Sequence, residues 1–573
     1  MADEHQGSEH QQGARTPPAL RRIGMEINPM VFFPSAIAIL LFLAFGTFFS
    51  EVAEDVFVAM ETMVANAFNW WYIALVTGLL VFVVYLGLSR HGHVRLGKDD
   101  EEPEFSLLGW FTMLFSAGMG IGLLYNGVAQ PLTFLDAPPT TEPGTIAAAN
   151  EAMDFVFYHW GLHPWAIYST VGLAVAYFAF RRDLPVSFRS AFYGVLGDRV
   201  NGRIGDVLDV FAVFGTLFGV AASLGLGALQ INAGAGEVLG VPVGVGSQIV
   251  IIGIITVVAT ISVVLGLDKG IKRLSQFNIG LSFTLLLFVF VAGPTVYLLD
   301  SLVENVGSYL QNLASISFFT DPLDEAQQIQ IDWTMALWGW WIAWAPFVGI
   351  FIARISRGRT IREFILGVLL VPTIVSFVWF TVLGESALRH ELVGDGGLLD
   401  VLEQEEGDSL VFFSFLETLP FATITSIVAI VAVFIFFVTS SDSGSLVIDM
   451  MTSGGHPDPP KGQRVFWALT EGAITAVLLL AGGLDAIYAS AMTVALPLTV
   501  ILVFMAWSLL RGVSADPSSV PRARETRGRR RRTDTAERPA DTEGSGDTGG
   551  SSDTDEAPAA DTAAEPDETP RST

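Results

Sequence analysis

The chain is 573 residues long, 51% hydrophobic and only 16% charged, with a mean hydropathy of +0.51. A soluble domain is roughly a quarter charged, so this composition excludes an ordinary water-soluble enzyme. The absence of Cys removes disulfides, thiolate metal sites and Cys nucleophiles together. The formal charge of −27, with only four Lys (Lys98, Lys269, Lys272 and Lys461) among the bases, suits a halophile's salty surroundings, where self-repulsion is screened.

A membrane crossing needs about 20 apolar residues. Twelve stretches qualify: 30–50, 70–88, 107–126, 155–180, 207–237, 246–266, 276–299, 333–353, 364–384, 422–448, 462–482 and 488–510. The polar lead of residues 1–24 sets the first apart from a cleavable signal peptide. The loops alternate in charge. Basic ones carry Arg21 and Arg22, then Arg90, Arg95 and Lys98, then Arg181 to Arg203, Lys269 to Arg273, Arg354 to Arg362, and Lys461 with Arg464. The intervening loops are neutral or acidic, such as Glu51 to Glu61 and Glu391 to Asp408. Positive loops stay inside, which predicts a cell-membrane protein with both termini cytoplasmic. Residues 301–332 are too polar to span and read as an amphipathic helix lying on the outer surface. The tail from 513 to 573 reads as disordered, a basic block (Arg522, Arg524, Arg527, Arg529, Arg530, Arg531 and Arg532) followed by an acidic one.

Three spans carry features that a lipid-facing helix does not need. The third contains SAGMGIG, with Gly118, Gly120 and Gly122. The eighth contains WTMALWGWWIAWAPFVG, with Gly339, Pro346 and Gly349. The tenth ends in FFVTSSDSGS. Loosened backbone at membrane depth is tolerated only beside a cavity, and paired breaks in two halves point to a transporter site at the midplane. The competing reading is that the glycines only let helices pack closely.

Five of the thirteen Trp fall between Trp333 and Trp344. An interfacial aromatic belt accounts for Trp333 and extends to Trp338, but Trp341 and Trp344 lie about two to three turns inside. On the fourth span, Trp160, Trp165 and Tyr168 project within one arc at about 100° per residue. Rings converging from two helices can cage a quaternary ammonium, which offers no hydrogen bonds. The hydroxyls of Thr439 and Ser440, with carbonyls freed near Ser116 and Met119, offer the oxygen ligands that a hard cation such as sodium takes. Back-bonding within their own helix is the plainer alternative. Asp442 is an intramembrane acid, functional by default or else a partner for a base such as Arg354. His159 and His163 read as packing at a helix terminus. Nothing resembles a catalytic constellation, and no nucleic-acid partner is expected.

These segments resemble the betaine/choline/carnitine transporter (BCCT) family across about residues 25–512. The likeness is carried by GMGIG, HWGLHPWAIYSTVGLAVAYF, FGVAASLGLGALQI, GLDKGIKRLSQFNIGL, WGWWIAWAPFVGIFIARISRGRTIREF and VTSSDSGSLVIDMM. The resemblance implies an all-α, LeuT-like fold of twelve transmembrane helices, two leading and then five plus five in inverted repeat (107–299 and 333–512). It also implies a homotrimer, and symport of a trimethylammonium osmolyte for osmoadaptation. Carried over, the cage falls on Trp160, Trp165, Tyr168 and Trp341, with Trp344 and Phe347 lining the path below and Gly118, Gly120 and Gly122 beside it. The main sodium site falls on Ser116, Met119, Phe437, Thr439 and Ser440. A second falls on Thr216 and Phe347, but Val220 stands where the family has a second hydroxyl. Choline carriers of the family tend to have Asp where this chain has Gly122, so glycine betaine is the expected substrate. Ectoine, proline, choline or carnitine are the alternatives, and anionic lipids are the expected partners of the basic tail block. No cofactor beyond sodium as coupling ion is expected.

Overall fold

A computed structural model describes residues 25–118, 120–265, 268–322, 327–456 and 459–519. The chain divides into two units, Met1–Pro521 and Arg522–Thr573, and every described residue belongs to the first. Ordered elements are helical, and among the described residues the only β pairing is an isolated bridge between Arg95 and Thr360.

Helix α1 (Pro29–Phe48) starts where the Asn28 side chain accepts the Met30 N–H at 3.2 Å, with Pro29 supplying a preset φ in the first turn. Helix α2 runs from Ser50 to Leu88. At 1.5 Å per residue it is about 58 Å long, nearly twice a hydrocarbon core. Its first half therefore carries Glu51, Glu54, Asp55 and Glu61 on the same helix as the apolar run expected at 70–88.

Among the described residues, ten helices are long and apolar enough to cross a membrane. The two expected crossings outside that set are divided. Residues 107–126 fold as α3 (Leu107–Gly118) and α4 (Ile121–Asp136), and 155–180 as α5 (Ile146–Trp160) and α6 (Leu162–Ala176). The first three pieces are 16 residues or fewer, too short to cross alone, whereas a π-helical turn at Tyr177–Arg181 carries α6 further.

The chain continues through α7 (Arg203–Leu239), α8 (Val245–Leu265) and α9 (Asp268–Ala292). Gly293 and Pro294 end the seventh expected span early, and α10 (Thr295–Ser317) follows. This helix is amphipathic as expected, but its polar side is turned on the bundle. Asn312 and Ser308 donate to Asp154 at 2.7 and 2.9 Å, and Asn305 donates to Glu385 at 2.6 Å. Then come α11 (Ala336–Ile355), preceded by a π-helical turn at Gln330–Met335, α12 (Ile361–Phe380), α13 (Gly407–Glu417), α14 (Ala422–Thr452), α15 (Lys461–Leu480) and α16 (Gly483–Ser514).

The apolar stretch around α11 is 94% buried, against 28% for that of α9 and 33% for α1. Helix α11 is thus the axis of the bundle, packed by α6, α7 and α16. The basic loops are tied down at one end: Arg181 pairs with Asp516 at 3.0 Å and Arg189 with Asp206 at 2.9 Å. Burial alone would push the Asp516 carboxyl up, but hydrogen bonds from Arg181 and Ser518 hold it well below the usual carboxylate range.

Candidate functional site

Gly161 divides the fourth expected span, and a Cβ there would strike the Phe157 carbonyl and the Phe377 ring. Trp160 therefore closes α5 while Trp165 and Tyr168 belong to α6. The 100° rule applied across 160–168 assumed one continuous helix, and fails at this break. The rings nevertheless meet. Trp341 of α11 lies 5.3 Å from Trp160, 5.3 Å from Tyr168 and 6.4 Å from Trp165, centroid to centroid, with Trp165 and Tyr168 5.5 Å apart. Interplanar angles of 58° to 79° make these rings walls of a box, not a stack.

All four side chains are buried. Among the described residues, the Nε1 of Trp165, the Nε1 of Trp341 and the Tyr168 hydroxyl have no hydrogen-bond partner. An unpartnered buried donor costs about 1–3 kcal/mol, so these three are open to an acceptor from another molecule.

Several members escaped the sequence reading. Trp340 packs 6.1 Å from Trp160 and stacks 5.6 Å from Trp344, and its Nε1 donates to the Gly219 carbonyl at 3.2 Å. The Phe380 ring lies 5.2 Å from Trp160. Trp160 donates to Gln130 at 2.7 Å, Gln130 meets His159 Nδ1 at 2.7 Å, and His159 Nε2 meets Thr334 at 2.9 Å. The only sequence signal for this relay was a pair of amides, Asn126 and Gln130, in an apolar run. His163 meets Ser317 at 3.0 Å, so both His residues serve packing at helix termini.

Gly122 sits in the first turn of α4, and a Cβ there would meet Trp340 at 2.5 Å and Trp160 at 2.8 Å. A side chain at 122 would displace the cage's own rings. Gly120 stands at the break itself and Gly118 ends α3. Trp344 stacks on Phe347 at 6.0 Å, continuing the aromatic line down α11.

Three expectations are corrected. The eighth span is continuous from Ala336 to Ile355. Gly339 lies against the Met492 backbone at 2.5 Å and Gly349 against Val171, so these glycines permit close packing. Trp338 is not interfacial: it is fully buried against Tyr158 at 5.1 Å and His159 at 5.6 Å. Trp333 is half-buried, 6.0 Å from Phe134. Asp442 pairs with Arg464 at 2.9 Å, not with Arg354, whose Nη1 lies 3.8 Å from Met450 Sδ.

At the expected ion site, Thr439 donates to the carbonyls of Ile435 at 2.9 Å and Phe436 at 3.1 Å. That bond spends its proton and leaves lone pairs free. Ser440 is half-buried and Phe437 fully buried. A Cβ on Gly120 would lie 3.9 Å from Phe436, so this turn adjoins the break in the third span. Ser116 lies in α3, and Met119 lies outside the described residues. The Thr216 hydroxyl is buried without a partner, on α7 where Gly215 and Gly219 approach Ala343 and Trp344. Arg522 to Arg532 also lie outside the described residues.

Residues 30–518 match the profile of the BCCT, betaine/carnitine/choline family transporter. The chain is 41% identical over 480 residues to the glycine betaine transporter of Bacillus subtilis, covering 83% of this chain and 93% of that one. It is 41% identical over 501 residues to the glycine betaine transporter of Acinetobacter baylyi (87% and 76% covered). It is 40% identical over 513 residues to a glycine betaine/proline/choline transporter of Vibrio parahaemolyticus (86% and 91% covered).

Proposed function

Because the chain belongs to the betaine/carnitine/choline transporter family, and is a multi-pass membrane transporter rather than an enzyme, we propose that it takes up glycine betaine by sodium symport. The carrying observation is the convergence of Trp160, Trp165, Tyr168 and Trp341, with three unpartnered donors among them. Ring faces receive the trimethylammonium group, and each well-placed ring contributes on the order of 0.5–2 kcal/mol. The carboxylate is received by Trp165 and Trp341 N–H, by the Tyr168 hydroxyl and by the first turn of α4, which has no side-chain cap. Gly122 leaves no room for a protein carboxylate, which favours a substrate that brings its own.

In this reading each divided pair, α3 with α4 and α5 with α6, makes one crossing, giving twelve in the two-plus-five-plus-five inverted repeat. Both termini are cytoplasmic and the acidic end faces outward. Sodium sits on Thr439, Ser440 and carbonyls of the third-span break, and a second ion is supported only by the free Thr216 hydroxyl. A homotrimeric assembly and a role in osmoadaptation complete the proposal.

The test is uptake of labelled glycine betaine into proteoliposomes under an inward sodium gradient. Saturable uptake abolished by potassium replacement is expected. The control is 3,3-dimethylbutanoate, the carbon isostere whose neutral tert-butyl group replaces trimethylammonium. Equal competition by that compound would mean that the pocket reads shape and not charge.

A further inference from the structure

One cage ring differs from the other three. Trp165, Trp341 and Tyr168 keep donors without a hydrogen-bond partner among the described residues, whereas the Trp160 N–H is given to Gln130 at 2.7 Å. The backbone explains why this ring needs a tether. Trp160 is the last residue of α5, and Gly161 turns the chain out of the helix at φ −96° and ψ −130°. The neighbours that positions i+3 and i+4 of a continuous helix would supply are therefore missing from its own helix. Helix α4 holds the ring instead, and holds it at both edges. A Cβ on Gly122 would lie 2.8 Å from Trp160 Cη2, while the buried Gln130, about two turns further along α4, takes the Nε1 edge.

The direction of every hydrogen in the relay follows from this one bond. An indole N–H can only donate, so Gln130 turns its Oε1 to Trp160 and its amide NH2 to His159. That NH2 can only donate in its turn, so His159 Nδ1, 2.7 Å away, accepts. The imidazole proton is thereby placed on Nε2, which donates to the Thr334 hydroxyl at 2.9 Å. Gln130 lies on α4, His159 and Trp160 on α5, and Thr334 in the π-helical turn that leads into α11. The relay thus ties together three elements that meet at the cage.

We propose that Gln130 is the positioning residue of the cage: by holding the Trp160 N–H it turns a ring face, and not a donor, toward the trimethylammonium group. The proposal rests on the betaine reading and deepens it, because it divides the four rings into three that can also donate and one that offers its face alone. That ring stands at 79° to Trp341, 5.3 Å away. A cation is attracted by the face of a ring and not by its edge, so a Trp160 ring free to turn would hold the substrate less well.

The test is a double-mutant cycle on the full-length carrier, Gln130→Leu with Trp160→Phe, read as the KM for betaine. Phe has a ring face but no N–H, so Gln130 has nothing to hold in that background. Gln130→Leu alone should raise the KM roughly fivefold, the scale of one buried hydrogen bond, with the maximal rate and the sodium dependence unchanged. The same change made in the Trp160→Phe carrier should cost less than about twofold. Gln130→Asn keeps the amide but draws it back by one methylene, so it should follow Leu, and it carries the cycle if the Leu variant does not fold. An equal loss in both backgrounds would make Gln130 a general packing residue and overturn the proposal, as would an unchanged KM in the Trp160 background. Should the unaltered protein carry no betaine, the transport reading falls, and the cycle is read from calorimetric titration of tetramethylammonium into the same purified proteins. Equal binding by the unaltered and Gln130→Leu proteins, or binding by neither, would then overturn the positioning role.

Discussion

The aromatic cage and the hydroxyl-rich turn of α14 lie in the same bundle, yet their polar groups are committed to different degrees. Thr439 bonds its own helix, Ser441 donates to Glu471 at 3.0 Å, and Asp442 is held by Arg464 at 2.9 Å. In the cage, the Trp165 and Trp341 N–H groups and the Tyr168 hydroxyl have no hydrogen-bond partner among the described residues. A hydroxyl on a helix always has the carbonyl four residues back within reach, so a run of Ser and Thr says little about which of them is available. An indole N–H facing other rings has no such local remedy. The proposed substrate site thus offers free donors, whereas the proposed ion site would be assembled from lone pairs left over by structural bonds.

The largest effect should follow from Trp341, the ring that touches the other three. Trp341→Ala should weaken betaine affinity tenfold or more, since about 1.4 kcal/mol is one decade and each ring contributes about 0.5–2 kcal/mol. Trp341→Phe should retain part of it, and Trp341→Leu, apolar but without a quadrupole, should behave like Ala. Trp70, exposed and bonded to the Ala67 carbonyl at 3.1 Å, is the control, and Trp70→Ala should leave the KM unchanged. A Leu variant that binds as well as Phe would reduce the cage to a hydrophobic pocket.

The contrast also marks how far the sequence could be read. Trp341 and the Trp160–Tyr168 group were legible because aromatic rings deep inside apolar spans have few other reasons to be there. The break at Gly120 was legible from GMGIG. The break at Gly161 was not, because a single Gly in HWGLHPW is equally at home in a helix contact. Nor were Trp340, Phe380 and Gln130, whose roles depend on which helices become neighbours. The glycines of the eighth span misled for the same reason: Gly339 is matched to the Met492 backbone, a partner 153 positions away that no local pattern announces.

A middle-sized effect should sharpen the ion side. Thr439→Ala with Ser440→Ala should raise the sodium concentration for half-maximal uptake several-fold, while tetramethylammonium binding stays as before. Thr439→Ala removes a hydroxyl whose proton already bonds Ile435 at 2.9 Å, so its structural cost is one intrahelical bond, about 0.5–1.5 kcal/mol. Sodium dependence unchanged in the double variant would leave both hydroxyls as helix-bonded groups and nothing more.

The smallest effect belongs to the tail, and the structure decides where to cut it. Asp516 accepts from Arg181 Nη2 at 3.0 Å and from the Tyr177 hydroxyl at 3.1 Å, and Ser518 also contacts Arg181. A truncation after Ser514 would therefore strip a buried carboxylate from a half-buried Arg, a structural loss that mimics a regulatory defect. Truncation after Ser519 keeps this anchor and removes the basic block Arg522 to Arg532 with the acidic block beyond it. Each Arg near an anionic membrane surface adds about 1 kcal/mol of attraction, and salt weakens it. The proposed sensor has the acidic block compete for the same Arg residues, so that rising internal salt would shift the balance between lipid and self. Uptake by the truncated carrier should keep its KM and sodium dependence but lose part of its dependence on osmolality and on anionic lipid. Replacing the seven Arg by Gln in the full chain should reproduce the loss. If both variants respond to osmolality and lipid as the intact chain does, the basic block is a topology anchor without a sensing role.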